Sequence, residues 1–265
     1  MVSIATYHQA TPDYHQQQFD SPDGLANKGY RIISLGVYRQ GNNVRYAAVW
    51  SDKGGPSWKA FHGRSPDEYQ TIYNNWTSEG YRPVIVTATG GGTVGLDQTN
   101  SSIFAGVFEK DPNQYVAKHG IDFKTFKDTC EWAKKNSHIL RWAAIYGGKN
   151  RFYAGIWDKV GSNVQWDYKI TIAIDGPELG VPVQSPDNPS LYLSFVTRSP
   201  FAEYLAVYRS DQFHNIKERH AMTSNDFQIQ HDQLKAQGYY PFCVQAGGDP
   251  RVSDIPKFVG VFQKL

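Results

Sequence analysis

One five-residue phrase occurs five times along the chain, and this repetition limits the possible folds more than any other feature. The phrase is an aromatic residue, two small or aliphatic residues, a β-branched residue and a second aromatic residue. Its copies lie 49 to 58 residues apart, at Tyr46–Trp50, Phe104–Phe108, Tyr153–Trp157, Tyr204–Tyr208 and Phe258–Phe262. Recurrence at such a period is typical of an array of one supersecondary unit.

A second recurring pattern places a histidine shortly before a predicted helix. The four histidines are His8, His62, His119 and His220. Three residues after each stands a residue type that caps helix N-termini, namely Thr11, Ser65, Asp122 and Thr223. Ser65 with Glu68, and Thr223 with Asp226, match or approximate a capping box. These signals predict that a helix begins after each histidine.

The rest of the unit follows from helical spacing and from glycine positions. Apolar residues recur at helical spacing in the second and third repeats, at Tyr69, Ile72, Tyr73 and Trp76 and at Phe123, Phe126, Cys130 and Ala133. Gly29, Gly80 and Gly238 are expected to end helices, with Ser137 at the corresponding place in the third repeat. An extended segment, a glycine-rich or polar turn and the aromatic phrase come next. The predicted unit is strand, helix, strand, turn and strand, ending in a hairpin.

The units divide the chain into a single repeat-array domain. Its repeats cover approximately 1–52, 56–110, 113–159, 163–211 and 213–265. The fourth repeat is degenerate, because it lacks the histidine and because residues 175–189 are too rich in proline and glycine for a normal helix. Strands are expected on either side of this insertion. A long irregular segment is typical of a functional or mobile region, and simple repeat decay explains it equally well.

Taken in order, these motifs resemble a known family. The histidine, the helix, the Gly-Tyr-Arg-Pro segment at 80–83, the glycine turn and the aromatic phrase resemble the bacterial tandem repeat domain family. That module is similar to repeats in the N-terminal half of fungal polyglycine hydrolases, secreted endopeptidases whose C-terminal half is a β-lactamase-like serine hydrolase. The resemblance covers nearly the whole chain. It implies an α+β fold in which tandem strand-helix-strand-strand repeats form a curved antiparallel sheet, or half-barrel, backed by helices.

Charge and composition argue against several classes of function. The net charge of +2, with no basic stripe or nucleic-acid motif, predicts no nucleic-acid partner. No stretch approaches the roughly 18 apolar residues of a membrane span. Residues 1–10 lack signal-peptide features, which predicts a cytoplasmic protein as written, or a secreted one if the chain is processed. Cys130 and Cys243 fit no disulfide framework or metal motif, and Cys130 is predicted to be a core residue.

The chemistry-bearing motifs point away from a familiar enzyme. The chain has no nucleophile elbow, no β-lactamase-type Ser-x-x-Lys and no phosphate-binding loop, and the resemblance does not extend to the serine hydrolase half. His8, His62, His119 and His220 lie on different repeats, so we interpret them as structural, with a shared row of ligand contacts or a metal site as alternatives. No cofactor and no metal are predicted.

Three function hypotheses remain open. The first is a non-catalytic ligand-binding protein, lectin-like or peptide-binding, with a concave aromatic surface that takes a carbohydrate or an extended peptide. The predicted contacts are Trp166, Tyr168, Tyr192, Arg198 and His138. The rings of the repeated phrase either contribute to such a surface or pack against the helix of their own unit.

The second hypothesis is an enzyme with an unfamiliar site in the fourth repeat. Its acid–base groups would come from Asp167, Tyr168, Asp175, Glu178, Asp187 and Arg198. The third hypothesis is a structural scaffold or an accessory domain related to a serine hydrolase. Such a scaffold should show a broad apolar patch in place of a ligand pocket.

Overall fold

The computed structural model describes residues 2–90, 102–147, 150–161, 164–174, 190–197, 201–209, 215–247 and 255–264, with the backbone alone at 171–174, 190–197 and 201–202. These residues contain four helices: α1 (Pro12–Asp20), α2 (Pro66–Ser78), α3 (Phe123–Lys135) and α4 (Ser224–Ala236). No helix in these ranges is long and apolar enough to cross a membrane.

The described residues also form fifteen strands, which fall into three sets of five, one set for each position in the repeat. The first strands are β1 (Ile4–Ala10), β4 (Trp58–Arg64), β7 (Tyr115–Ile121), β10 (Trp166–Ile174) and β13 (Ile216–Met222). The second strands are β2 (Arg31–Gln40), β5 (Tyr81–Ala88), β8 (His138–Gly147), β11 (Ser190–Thr197) and β14 (Tyr239–Gly247). The third strands are β3 (Asn43–Ser51), β6 (Phe104–Lys110), β9 (Arg151–Lys159), β12 (Phe201–Arg209) and β15 (Lys257–Lys264).

The helix caps predicted from the sequence are confirmed. The side chains of Thr11, Ser65, Asp122 and Thr223 each accept a backbone N–H from three residues further on. Both predicted capping boxes are complete. Helix α1 ends well before Gly29, because Pro22 disfavours a helical conformation at Ser21. Ser137 stands in for the cap glycine with a φ of 56°.

Each repeat forms its own three-stranded antiparallel sheet, in which the third strand is central and pairs with both others. The strand, helix, strand, hairpin order of the predicted unit is therefore confirmed in the repeats that carry a helix. Among the described strands, the single curved sheet expected from the resemblance is not found, since their backbone ladders join strands within a repeat only. None of these three-stranded sheets closes on itself.

The repeats contact one another through their second strands, which we call the inner strands. These follow the cyclic order β2, β5, β8, β11, β14 and back to β2. Side chains bridge the backbones of neighbouring inner strands. Trp142 Nε1 donates to the Val86 carbonyl at 3.0 Å, and Ser34 Oγ donates to the Val244 carbonyl at 3.2 Å. The second bond joins the first repeat to the last, so the array is a closed ring.

The repeated aromatic phrase lies on the central strand of every sheet and is buried in all five copies. Its rings meet the helix of their own repeat in the repeats that have one. The Trp157 ring lies 5.7 Å from that of Phe126, and the Phe108 ring lies 5.1 Å from that of Trp76. Burial thus decides between the two interpretations of the phrase in favour of packing.

The fourth repeat keeps the sheet but departs from the others elsewhere. The two strands predicted around the insertion are present as β10 and β11, and no helix lies between them among the residues described. β10 pairs with β12 without the register shift found in the other first strands. Ile170 occupies the place of the histidine, opposite Leu205.

Candidate functional site

Three of the five predicted contact residues come together where the third and fourth repeats meet. Trp166 Nε1 donates to the His138 carbonyl oxygen at 2.7 Å, and both residues are buried. The His138 ring lies 4.9 Å from that of Trp132 on α3. Tyr168 packs edge-on against Phe126 of α3 at 5.6 Å. These contacts join β10 to the helix of the preceding repeat.

The charged groups around this cluster are paired. Lys134 Nζ lies 5.6 Å from the Trp166 ring and 5.7 Å from the Tyr168 ring, and it forms an ion pair with Asp167 at 2.8 Å. Burial raises the pKa of Tyr168 to about 12. The arrangement holds two repeats together and leaves Trp166 too enclosed for a ligand to stack on it.

The remaining residues of that predicted site cannot be placed in the same way. The backbone of Tyr192 lies in β11 opposite Val207, and its side chain is outside the description. Arg198 lies outside the described residues, as do Asp175, Glu178 and Asp187 from the enzyme hypothesis. Asp167 is exposed, and its described partners are Lys134 and the Tyr168 backbone. The enzyme hypothesis therefore stays a prediction.

The repeat histidines lie at the junctions between neighbouring repeats. His62 packs on Tyr46 of the first repeat at 5.5 Å, and His119 packs on Phe104 of the second at 5.8 Å. His220 meets Tyr204 of the fourth repeat at 6.2 Å. His8 closes the ring, with Nε2 2.9 Å from Ser224 Oγ.

Each histidine thus touches the preceding repeat, so the four lie at four different junctions. Burial lowers the pKa of all four imidazoles, that of His220 to about 4. Among the described residues, no group of three or more His, Cys, Asp or Glu side chains could hold a metal ion.

A pocket of about 740 Å³ opens at the end of the ring where the inner strands begin. We call it the axial pocket. Its walls come from residues among the first five of β2, β5, β8 and β14 and from the last or last but one residue of β3, β6, β12 and β15. Val2, Ile4 and the 53–56 segment complete it. Four inner strands therefore meet around one space.

A β-bulge in each of four inner strands supplies a residue to this pocket. Ile33, Val84, Arg141 and Phe242 have no partner in the ladder, because the register shifts by one residue at each of them. All four line the axial pocket. Bulges re-aim side chains next to functional sites. Leu191 is the corresponding position in β11.

Cations dominate the charged lining. Arg31, Lys53, Arg141 and Arg209 line the pocket, and Glu109 is the one carboxylate beside them among its described lining residues. Arg31 Nη2 donates to Glu109 Oε1 at 2.6 Å.

Two neighbours shape the surroundings of these cations. Arg141 Nη1 donates to Asp158 Oδ2 at 3.2 Å. The Arg31 guanidinium lies against Gly55, where a Cβ atom would overlap it. Partly neutralised basic side chains thus line the pocket together with apolar ones.

Sequence reasoning missed the axial pocket. A usable signal was the residue that follows each aromatic phrase, because the phrase is constant while this position varies. It is Ser51, Glu109, Asp158, Arg209 or Gln263 in successive repeats. Four of the five line the pocket.

The ring of like units, joined through inner strands and buried aromatic phrases, defines a repeat-array protein. Its family follows from sequence comparison. The chain belongs to the polyglycine hydrolase-like structural repeat family, whose profile matches residues 2–53, 55–111, 112–160 and 215–265. The matched ranges are the first, second, third and fifth repeats, which confirms the resemblance drawn from the motifs.

Proposed function

We propose that this protein is a non-catalytic ligand-binding repeat protein and that its ligand is a peptide bound in the axial pocket. The observation that carries the proposal is the convergence of bulge residues from four repeats on one space of about 740 Å³. Ligand pockets in proteins typically have volumes of about 300–1,000 Å³ and mostly apolar walls with a few polar groups. The axial pocket has this size and this composition.

The inner-strand bulges favour a peptide as the ligand. A bulged residue is left out of the ladder, so its backbone groups can turn toward a bound chain. Ile33, Val84 and Phe242 add apolar surface at the same positions. A peptide takes both kinds of contact at once, through its backbone and its side chains.

A carbohydrate ligand has weaker support. Sugar recognition by stacking needs accessible ring faces, and the ten aromatic rings of the repeated phrase are buried. Of the aromatic residues that line the pocket, Trp142 is buried and its indole N–H is bonded to the Val86 carbonyl. Tyr240 and Phe242 are only partly exposed. The lectin-like alternative therefore depends on these two rings.

The test is a binding screen of the purified chain against short peptides, polyglycine-containing ones included, with a glycan array in parallel. The best ligand is then titrated into Phe242→Ala, with Phe123→Ala as the matched control because Phe123 lies exposed on α3. Loss of a buried aromatic contact should weaken peptide binding about tenfold or more, while the control leaves it unchanged.

The other outcomes separate the hypotheses. Glycan binding that Phe242→Ala abolishes would replace the peptide by a sugar. Peptide cleavage would favour the enzyme hypothesis. An absence of binding in both screens would leave the scaffold hypothesis, and peptide binding unaffected by Phe242→Ala would contradict the assignment of the site.

A further inference from the structure

The charge of the axial pocket departs from the pattern followed elsewhere in the ring. Arg31 of the first repeat pairs with Glu109 of the second, and Arg82 of the second pairs with Asp158 of the third. Both arginines occupy one position of the inner strand, and both acids follow an aromatic phrase. Each pair neutralises one junction between repeats.

At the junction between the third and fourth repeats, other residue types occupy both the arginine position and the acid position. Ile139 occupies the arginine position of β8, opposite Asp158. Arg209 occupies the acid position that follows the phrase of the fourth repeat, and it lines the axial pocket. A cation thus stands where the pattern has a carboxylate.

Arg141, the bulge residue of β8, is a second departure from the pattern of the other repeats. The corresponding bulge residues of the other three described walls are the apolar Ile33, Val84 and Phe242. Arg141 keeps one N–H on Asp158, and a guanidinium carries five N–H donors. Since the whole chain has a net charge of only +2, the basic character of this pocket is local.

We propose that the axial pocket captures the C-terminal carboxylate of its peptide ligand. This inference rests on the proposed function and specifies which part of the peptide is recognised. Arg209 and Arg141 receive the carboxylate, because a guanidinium that already has one partner keeps further N–H donors, and its planar group matches the two carboxylate oxygen atoms. The bulge residues Ile33, Val84 and Phe242 contact the side chain of the last residue. The pocket therefore selects peptides that end in an apolar residue with an unblocked carboxyl group.

The test compares two peptides that differ only at their ends. N-acetyl-Gly-Gly-Phe with a free carboxylate and its C-terminal amide are titrated calorimetrically into the full chain. Charge-assisted hydrogen bonds should make the carboxylate form bind about 10- to 100-fold more tightly. Raising the salt concentration should reduce the difference.

Variants then assign the preference to residues. Arg209→Gln and Arg141→Gln should each reduce the ratio of the two affinities at least fivefold. The affinity for the amide should stay within a factor of two. Lys124→Gln removes the same charge from the exposed face of α3 and should change neither affinity. If an arginine variant does not fold, the two peptides on the unaltered chain decide the question alone.

Failure of this inference and failure of the proposed function would give different results. Equal binding of the carboxylate and the amide would overturn this inference and leave the proposed function standing. No binding of either, together with a silent peptide screen, would overturn both. Inorganic phosphate that binds as tightly as the peptide acid would also overturn it, because the apolar walls would then contribute nothing.

Discussion

Arg82 and Asp158 belong to neighbouring repeats and form an ion pair inside the protein, with 2.5 Å between Nη1 and Oδ1. The Arg82 side chain is only 3% exposed and also donates to Asp111. Arg31 and Glu109 repeat the relationship one junction earlier. In the second and third repeats, the acid that follows the aromatic phrase thus fastens its repeat to the one before it.

Replacing Asp158 by Asn should destabilise the protein strongly. The change leaves the Arg82 guanidinium buried with Asp111 alone, and it removes the partner of Arg141. Breaking a buried pair from one side costs several kcal/mol, so we expect the free energy of unfolding to fall by about 3 kcal/mol. Urea unfolding followed by circular dichroism measures this.

The control for this variant is Asp128→Asn, whose partner Lys124 is exposed on α3. An exposed pair contributes less than about 1 kcal/mol. Equal effects of the two substitutions would mean that the Arg82–Asp158 pair does not hold the junction together.

Replacing Ala221 by Gly should stabilise the protein. The residue after each repeat histidine has a positive φ, and it is glycine in the second and third repeats but Gln9 and Ala221 in the first and last. A left-handed conformation costs an L-residue about 1–2 kcal/mol, offset in part by the greater freedom of glycine in the unfolded chain. We expect a gain of about 0.5–1 kcal/mol in the free energy of unfolding.

The reverse substitution, Gly120→Ala, tests the same strain from the other side. Gly120 has a φ of 65°, and an added Cβ would meet no atom within 4 Å. A decrease of about 1 kcal/mol in the free energy of unfolding, measured in urea, would therefore report the cost of the left-handed backbone conformation alone. If neither variant changed the free energy of unfolding, the backbone at the position after the repeat histidine would not be strained.

Acidification should destabilise the junction between the first two repeats. His15 stacks on Tyr46 at 4.4 Å and lies 4.8 Å from the His62 ring of the second repeat, and burial lowers the pKa of His15 to about 3. The unfolded chain, with a histidine pKa near 6.5, binds more protons than the folded chain between these two values. The stabilisation is complete above about pH 6.5 and is lost as the pH falls toward 3, by up to about 1.4 kcal/mol per pH unit.

His15→Phe should make this dependence shallower while it keeps the ring contact with Tyr46. The measurement is the free energy of unfolding in urea between pH 8 and 4.5. Above pH 7 the two proteins should differ by a constant amount, which is the internal control. If the free energies of unfolding of the two proteins ran parallel over the whole pH range, the pH dependence would not come from His15.

Adding a methyl group at Gly260 should destabilise the last repeat. A Cβ there would lie 2.7 Å from the Phe262 ring and 3.2 Å from the Phe227 ring of α4. Overpacking of this kind typically costs about 1–3 kcal/mol, which we expect for Gly260→Ala in urea unfolding. Gly54→Ala is the control, since no atom lies within 4 Å of its added Cβ. A neutral Gly260→Ala would mean that helix and strand are more loosely packed.

Prediction from sequence succeeded where a feature depends on neighbours within one repeat. The cap at Ser65 needs only Glu68, three residues away, and the burial of Phe126 and Cys130 follows from helical spacing. It did not reveal contacts between repeats, such as the hydrogen bond by which Trp166 and His138 join the third and fourth repeats. Aromatic side chains in a sequence indicate burial and ligand contact equally well.

The amino-acid sequence by itself determined the repeat unit, namely its strand order, its helix caps and the position of its aromatic phrase. Period-two alternation, helical spacing and capping act over a few residues, so they can be read along the chain. The tertiary structure decided that the units close into a ring and that their bulges surround one pocket. Ser34 and Val244, whose contact closes the ring, are 210 residues apart. They meet because all five repeats pack against their neighbours, and a local sequence pattern does not show the combined result of that packing.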